Sequence, residues 1–456
     1  MGTVGLSFGS ATSGQGFDVA TTVTQIQAAE SAIETPWQSQ LTALQAQDTV
    51  FTSMGSDLST LTTSLQALTD FSGVMSQMEG SSSNPDVLSL TSASSSAVAG
   101  SHTVTVSSLA QTSSDYLDPV TNASDTLSGS VTFQVGSGTA TTITVDSSSN
   151  TLSTLAAAIN SADAGVTASV ISDSAGSRLS LVSGTSGAAG QLTVTSALSD
   201  ATTSTSLGVN TGQKGADASL NVDGIALTSA SNTVSSAIPG VTFQLLSSDV
   251  GSPVQVEITN DNSAIETAFS SLVTAYNAVV NDISTQEGNN SSGNPEPLYG
   301  SPTLSLIQSQ LSTALTSGAA SGSVSNIAQL GLSFNDDGTL SLDTDTLDSE
   351  LNSNFSDVTG YLQNTGSFGQ NFATVLNNLG TQAPNGAVYL AQQQNSTEEA
   401  SLNQNITNEN AILAAQKTTL TDELNTANQV LQSIPSQLNE VNEMYSAITG
   451  YNSTQN

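Results

Sequence analysis

The sequence has no cysteine, one histidine and only three basic residues among 456. Without Cys there can be no disulfide bracing, thiolate metal site or Cys nucleophile. Arg178, Lys214 and Lys417 stand against 38 acidic residues, a net charge of -35. Phosphate contacts need Lys and Arg, so nucleic acid is excluded as a partner. An anionic membrane surface is excluded on the same ground. The imbalance reflects missing basic residues rather than dense acidic runs, and it is not read as an adaptation to salt. Charged residues make up 9% of the chain, against roughly 25% in ordinary soluble domains. Ser and Thr take up the difference. No apolar run approaches the ~18 residues of a membrane span. Residues Met1 to Gln25 have neither the basic start nor the apolar centre of a secretory signal. On these grounds alone the chain reads as a soluble cytoplasmic protein.

Catalytic and metal chemistry finds little support. His102 lies in a Val/Thr strand and cannot supply a triad or a zinc site unaided, so it is read as a strand-face residue. Arg178 is read as a structural ion pair, with a contact between subunits as the other possibility. The Asp-rich stretch Asn335 to Glu350 invites a calcium-loop reading. Placing Gly338 at the obligatory glycine puts Ser333 first and Thr344 last, and neither is an acidic ligand. A hairpin turn followed by an acidic helix start, with Asp343 and Asp345 complementing the dipole, is the reading favoured. No catalytic residue, metal or cofactor is expected, and the chain is not read as an enzyme.

What the sequence does have is a long seam near its C-terminus. Ile406, Leu413, Leu420, Ala427, Ile434, Val441 and Ile448 recur every seven residues. A second row starts polar at Asn410 and Lys417 and becomes apolar at Leu424, Leu431, Leu438 and Tyr445. Two rows offset by four form a coiled-coil seam. Over Asn405 to Ile448 it would run roughly 65 Å, too narrow to bury itself. Pro435 lies inside it and is expected to kink or end the helix. The expected partner is a stripe at the other end of the chain: Trp37, Leu41, Leu44, Phe51, Met54, Leu58, Leu61, Leu65 and Leu68. Two ordinary core helices of one globular domain would give the same pattern.

Between these helices the period changes. Residues Met1 to Thr35 carry too few large apolar side chains to fold alone. Thr35-Pro36 opens a helix expected to reach about Met78, broken by Gly80 to Pro85. From Val87 to Thr259 apolar residues alternate, as in Val104/Val106 and Val131/Phe133/Val135, the pattern of half-buried strands. One short helix, Thr151 to Ser161, interrupts them. Asp223-Gly224 is a two-residue hairpin signal. Val241, Phe243 and Leu245 are expected to face Val254, Val256 and Ile258 across a turn near Gly251. Helical spacing returns at Ser263, with a capping box to Glu266 and a stripe through Ile265, Phe269, Leu272, Tyr276, Val279 and Ile283. Further helices are expected around Leu304–Leu315, Leu347–Leu362 and Phe368–Leu379. A hairpin is expected to pair Leu332 and Phe334 with Leu340 and Leu342.

Several segments together resemble the flagellar filament cap family, hook-associated protein 2. Gly14-Gln-Gly-Phe-Asp18-Val with Ala28-Ala-Glu30 resembles its opening. Gly100 to Gln111 resembles its first body strand. Leu152–Asn160, Gly165–Val170 and Arg178–Leu181 resemble a small repeat shared with some flagellins. Ser231 to Phe243 and Ala275-Tyr-Asn-Ala-Val279 are the most specific matches, supported by Leu330-Gly-Leu and Asp337–Asp343. The set runs in order over essentially the whole chain. The sequence departs from the family in replacing the Lys, Arg and Glu of the terminal helices by Gln, Asn, Ser and Thr, so interhelical salt bridges are nearly absent.

The expected fold is α+β: terminal coiled-coil-forming helices and a helical stalk domain, with an inserted β-rich body of two subdomains. Residues 1–35 form a flexible segment, helical on assembly, and 36–80 a stalk helix. Body subdomain parts lie at 81–115 and 215–262, around a distal β-rich subdomain at 116–214. Stalk helices and a hairpin occupy 263–395, and the coiled-coil helix 396–456. The stalk core is expected to hold Trp37, Phe51, Leu58, Leu65, Phe269 and Tyr276. The resemblance implies a homo-oligomeric ring at the distal tip of the bacterial flagellum, which helps exported flagellin fold and insert. It implies filament or partner-helix contacts at Leu420, Leu424, Leu431, Ile434 and Leu438. Implied partners are flagellin, filament-tip or hook–filament junction proteins and an export chaperone before secretion. Export through the flagellum's own channel would make the protein extracellular without a signal peptide. The rival readings are another axial flagellar component and a secreted Ser/Thr-rich adhesin.

Overall fold

A computed structural model describes residues 15–450 of the chain. In chain order the elements are α1 (Val19–Glu30), α2 (Glu34–Thr69), β1 (Met78–Ser82), β2 (Leu88–Ala93), β3 (Gly100–Ser108) and β4 (Thr112–Leu117). Next come β5 (Leu127–Ser128), β6 (Ser130–Val135), β7 (Thr141–Thr144), α3 (Leu152–Ser161), β8 (Val166–Asp173), β9 (Gly176–Ser186) and β10 (Leu192–Ser196). They are followed by β11 (Ser199–Asp200), β12 (Thr205–Ser206), β13 (Val209–Gln213), β14 (Ala218–Val222), β15 (Ile225–Ser229), β16 (Thr233–Ile238), β17 (Val241–Leu245) and β18 (Asp249–Asn260). The chain ends in α4 (Asn262–Gln286), α5 (Pro302–Leu315), β19 (Leu332–Phe334), β20 (Leu340–Leu342), α6 (Thr344–Gln363), α7 (Phe368–Leu379) and α8 (Ala387–Thr449). Helices at both ends and strands between them make this an α+β protein. Two compact units divide it, one of residues up to Thr69 and from Ala268, the other Asp70–Thr267.

The strand-rich unit has two cores. A five-stranded antiparallel sheet, β1-β18-β3-β14-β15, and a three-stranded sheet, β16-β17-β2, enclose Val104, Val106, Leu220, Val222, Phe243 and Val256. The alternation of these residues with Ser and Thr puts one face of each strand inside. The second core lies wholly within the segment between β3 and β14. Sheets β13-β4-β9-β8 and β10-β6-β7 join α3 around Leu117, Phe133, Leu155, Ile159, Leu179 and Leu181. Helix α3 starts in a capping box between Thr151 and Thr154, which satisfies backbone donors the first turn leaves free. Asp223 and Gly224 take φ of 51° and 86°, the left-handed pair a two-residue hairpin needs, and join β14 to β15. The Asp223 carboxylate binds His102 Nδ1 at 2.7 Å and accepts from Thr103 N–H at 2.8 Å. The His102 hydrogen bond is the main cause holding Asp223 below the usual carboxylate range. Arg178 pairs with Asp173 at 2.7 Å and lies 5.6 Å from the centre of the Tyr116 ring.

Three sequence expectations fail in this unit. The helix that begins near Pro36 ends at Thr69, not Met78, and Met78–Ser82 is a strand paired with β18. Asp70 turns the chain by accepting from Ser72 N–H at 2.9 Å, a local competitor of helical hydrogen bonding. Strands β17 and β18 do not form a hairpin. β17 pairs with β16 and β2, and β18 with β1 and β3. Both contribute to one core from different sheets, so the alternation was legible and the pairing was not. The cap of α4 is Asp261, whose Oδ1 accepts from Ala264 N–H at 2.9 Å, rather than Ser263.

In the helical unit α2 packs on α7 and α8, and α5 on α7. Phe51, Leu58, Leu65, Phe269 and Tyr276 are buried, whereas Trp37 is only half-buried. Burial raises the Tyr276 hydroxyl to about 12, so it stays neutral throughout the physiological range. Tyr361 stacks on Phe368 at 5.3 Å, and Phe368 meets Phe372 at 5.6 Å. On α7 it is Leu376, not the half-buried Val375, that completes the inner face with Phe372 and Leu379. The β19–β20 hairpin pairs Leu332 with Leu342 and Phe334 with Leu340.

Three asparagines make the same clamp in three places. The Asn277 side chain donates to Leu340 C=O at 2.8 Å and accepts from Leu340 N–H at 2.7 Å. Asn232 does so with Ala110 at 3.0 and 2.7 Å, and Asn160 with Ala168 at 2.9 and 2.7 Å. Each amide satisfies both polar groups of one backbone residue, as a neighbouring strand would.

Candidate functional site

The terminal helices carry the surface that the sequence points to. Helix α1 opens at Asp18, whose Oδ1 accepts from Thr21 N–H at 3.1 Å while Oδ2 accepts from the Thr21 hydroxyl at 2.6 Å. The Thr21 hydrogen bonds keep the Asp18 carboxyl below its ordinary value, so it caps as an anion at the positive end of the helix. Two residues before it, Gly16 has a φ of 62°, and a Cβ there would collide with Asn428 Oδ1. The same Oδ1 accepts from Phe17 N–H at 2.9 Å. At the other end of α1, Gln27 Nε2 donates to Leu413 C=O at 2.8 Å. Since Phe17 meets Asn428 and Gln27 meets Leu413, α1 runs antiparallel to α8. Val19 and Val23 bury themselves in this contact face, and Ile26 and Glu30 line a shallow groove with Thr419, Leu420 and Glu423.

Of residues 1–35, expected to form a flexible segment that is helical on assembly, Val19–Glu30 is the helix α1. The apolar content that looked too small is supplemented by α8, which supplies the other half of the contact. Residues 1–14 of that expectation lie outside the described residues.

Helix α8 is one element of 63 residues. It runs unbroken through position 395, where the sequence reading divided stalk from coiled coil, because nothing there breaks a helix. It also continues through Pro435 to Thr449. The proline forfeits one backbone hydrogen bond without ending the helix. The half of α8 nearer its start packs on α2 through Val388, Asn395 and Leu402, all buried. Asn395 Nδ2 donates to Asp48 Oδ1 at 2.8 Å, and Gln392 donates to the Thr52 hydroxyl at 3.1 Å. The buried row steps by seven from 388 to 402 and then by eleven to Leu413. On an ideal helix a seven-residue step and an eleven-residue step drift by about 20° in opposite senses, so the longer step offsets the drift of the heptads before it.

Burial then fades along the helix. Leu420, Leu424, Leu431 and Ile434 are half-buried. Leu438 is 46% exposed, Val441 61% and Ile448 80%. Of the five residues singled out as contact candidates, four are therefore half-buried and Leu438 is open. The seven-residue rows made the stripe legible. Sequence reading missed Gly16, Gln27, Asn395 and Asn428, which fix how the terminal helices meet. Their only signal was a set of polar residues within an apolar pattern.

Among the described residues no group of three or more His, Cys, Asp or Glu is placed to hold a metal ion, and no helix is long and apolar enough to cross a membrane. What the site offers is a helical surface: apolar, elongated, acidic at its edges and open toward its C-terminal end.

The family model described as Flagellar hook-associated protein 2 C-terminus matches residues 215–448. That described as Flagellar hook-associated protein 2 N-terminus matches residues 15–113, and the Flagellin hook IN motif matches residues 130–185. The chain is 31% identical over 333 residues to the B-type flagellar hook-associated protein 2 of Pseudomonas aeruginosa, covering 67% of this chain and 70% of that one. It is 30% identical over 369 residues to the flagellar hook-associated protein 2 of Escherichia coli strain K12, covering 76% and 78%. The crystal structure of the flagellar cap protein FliD D1-D2-D3 domains from Escherichia coli superposes with a TM-score of 0.56 at 27% identity, over 76% of this chain and 99% of that one. With half of the sequence matched by one family model and most of the remainder by two more, this chain belongs to the flagellar hook-associated protein 2 family.

Proposed function

We propose that this protein is the cap of the flagellar filament, an oligomer at the distal tip that promotes folding and insertion of flagellin during elongation. Membership of the family over both its N- and C-terminal parts supports the cap role. The observation that carries the finer reading is the fading burial along α8. An apolar face covered at one end by the chain's own helices and open at the other is suited to contacts that must form and release repeatedly. In this reading Leu420, Leu424, Leu431, Ile434 and Leu438 meet the filament end, while Phe51, Leu58, Leu65, Phe269 and Tyr276 hold the stalk together and Trp37 covers its rim.

The partners proposed are further copies of this chain, flagellin, junction proteins at the filament base and a chaperone before export. The working location is extracellular, at the filament tip. The reading gives the chain no chemical step: its work is to hold and release folding subunits. A deletion strain tests it. Flagellin should accumulate as soluble protein in the medium, filaments should be missing, and added purified protein should restore growth. Normal filaments in the deletion strain would refute the cap role.

A further inference from the structure

The helical unit holds a cleft that no residue of α1 or α8 lines. Tyr276, Val280 and Ile283 step by four and three, so they share one face of α4. Gln308 faces them from α5 with Leu311 and Ser312, three and four residues on. Phe334, Asp337 and Gly338 of the β19–β20 hairpin close a third side. The cavity between them measures about 140 Å³, and an apolar cavity of about 150 Å³ takes one benzene ring. Val280, Ile283, Leu311 and Phe334 give it apolar walls, with Phe334 46% exposed. A Cβ at Gly338 would stand 3.8 Å from Val280 Cγ1, so a larger side chain there would intrude between the hairpin and α4.

The polar groups around this space are unequal. Tyr276 is 3% exposed, yet its hydroxyl has no hydrogen-bond partner among the described residues, and burial alone raises its pKa. A buried phenol ordinarily finds such a partner. The polar side-chain atoms that are both enclosed and unpartnered are Glu34 Oε1, Asp115 Oδ1, Arg178 Nε and Glu399 Oε1. The Tyr276 hydroxyl is not one of them, so it opens on the cavity its residue lines. Asp337 Oδ1 accepts from Thr339 N–H at 3.0 Å and from the Thr339 hydroxyl at 2.6 Å, and these bonds hold its carboxyl below the ordinary range. The rim is therefore anionic and the interior offers one unmatched O–H donor. We propose that this cleft binds a small neutral molecule of one aromatic ring carrying a carbonyl oxygen, with the ring between α4 and α5 and the oxygen accepting from the Tyr276 O–H. The site is independent of the filament-tip reading.

The test titrates the full chain with three probes and follows the methyl NMR signals of Val280, Ile283 and Leu311. Acetophenone carries the ring and the oxygen, toluene the ring alone, and benzoate the ring with a negative charge. Acetophenone should shift these three signals saturably at concentrations up to about 10 mM, which reveals a Kd of about 1 mM. Benzoate should bind about tenfold more weakly or worse, because the rim repels it. The variant Y276F keeps the ring of the tyrosine and removes only its hydroxyl. It should weaken acetophenone about fivefold, the worth of one neutral hydrogen bond, and leave toluene unchanged. Its urea midpoint should not fall, since no partner within the protein is lost. V280F should fill the cavity and abolish binding of all three probes while keeping the wild-type circular dichroism.

The absence of a saturable shift at Val280, Ile283 and Leu311 would overturn the proposal, leaving the cleft to solvent. So would an equal loss of acetophenone and toluene in Y276F, or benzoate binding as tightly as acetophenone. A lower urea midpoint for Y276F would also overturn it, by giving the hydroxyl a structural partner in solution. Self-association weakened by V280F would do the same, by assigning the cleft to a side chain of a second copy. If V280F does not fold, the comparison of wild type with Y276F decides alone.

Discussion

Asn277 offers the sharpest test of how the helical unit is held together. Its amide both donates to and accepts from the backbone of Leu340, a residue 2% exposed. Truncation in N277A removes two hydrogen bonds, each worth about 1 kcal/mol net. It also leaves a buried backbone N–H and C=O without their partner, at a further cost of about 1 kcal/mol or more. The expected loss is about 3 kcal/mol. With an m-value of about 3 kcal/mol per M of urea, the midpoint should fall by about 1 M.

N277D makes the argument directional. Its carboxylate can still accept from Leu340 N–H, but the second oxygen would face the Leu340 carbonyl, acceptor against acceptor. Protonated, it can donate and imitate the amide. The folded state therefore favours the protonated acid and raises its pKa above the unfolded value. N277D should approach the wild type below about pH 4 and fall behind as pH rises. Trp37, the single tryptophan, lies in the helical unit and reports its unfolding by fluorescence. A midpoint shift below about 0.2 M for N277A, or a pH-independent difference between N277D and wild type, would refute the clamp as a source of stability.

Other predictions follow from the same structure. Burial, together with a hydrogen bond and like charge from Asp57, pushes the Asp282 carboxyl up from 3.8 to about 6. Its favourable contribution is fully present below about pH 4 and is lost as pH rises through about 6. That interval corresponds to about 3 kcal/mol, which solvent screening at this partly exposed pair reduces to about 1. D282N should therefore match the wild type near pH 4 and exceed its urea stability by about 1 kcal/mol at pH 8; equal midpoints at pH 8 would contradict this. Self-association of a chain with net charge -35 should strengthen with added NaCl, as screening removes repulsion. Sedimentation showing assembly weakened by salt would mean that ion pairs hold the copies together. G16A should lose the α1–α8 contact through its collision with Asn428 and its strained φ, read as faster amide exchange over Val19–Glu30 with the body unchanged; unchanged exchange would contradict it.

Much of this fold was legible because its elements announce themselves by period. The alternation through Val131–Val135 and the turn at Asp223-Gly224 each encode geometry within a few residues. So does the stripe from Phe51 to Leu68. Pairing between distant strands is not written locally, and β17 and β18 went to different sheets although adjacent in sequence. Polar residues were harder still. Asn232 and Asn277 lay inside the segments that most resembled the family, yet only the structure shows them as backbone clamps. Asn395 interrupts an apolar row and reads as a flaw until Asp48 is placed opposite it. The contact face on α8 was visible as two seven-residue rows. How much of it the chain covers itself depends on α1, whose weak stripe gave no hint that it would fold against Leu413 and Asn428.

The central claim is that the face along the second half of α8 engages the filament end. The most direct test adds purified protein to the deletion strain, comparing wild type with L424D/L431D and measuring filament length. Both proteins should show the same β-rich circular dichroism and thermal transition for the body. The account predicts that wild type restores filament growth and the double variant does not. Equal restoration by the variant would remove this face of α8 from the mechanism.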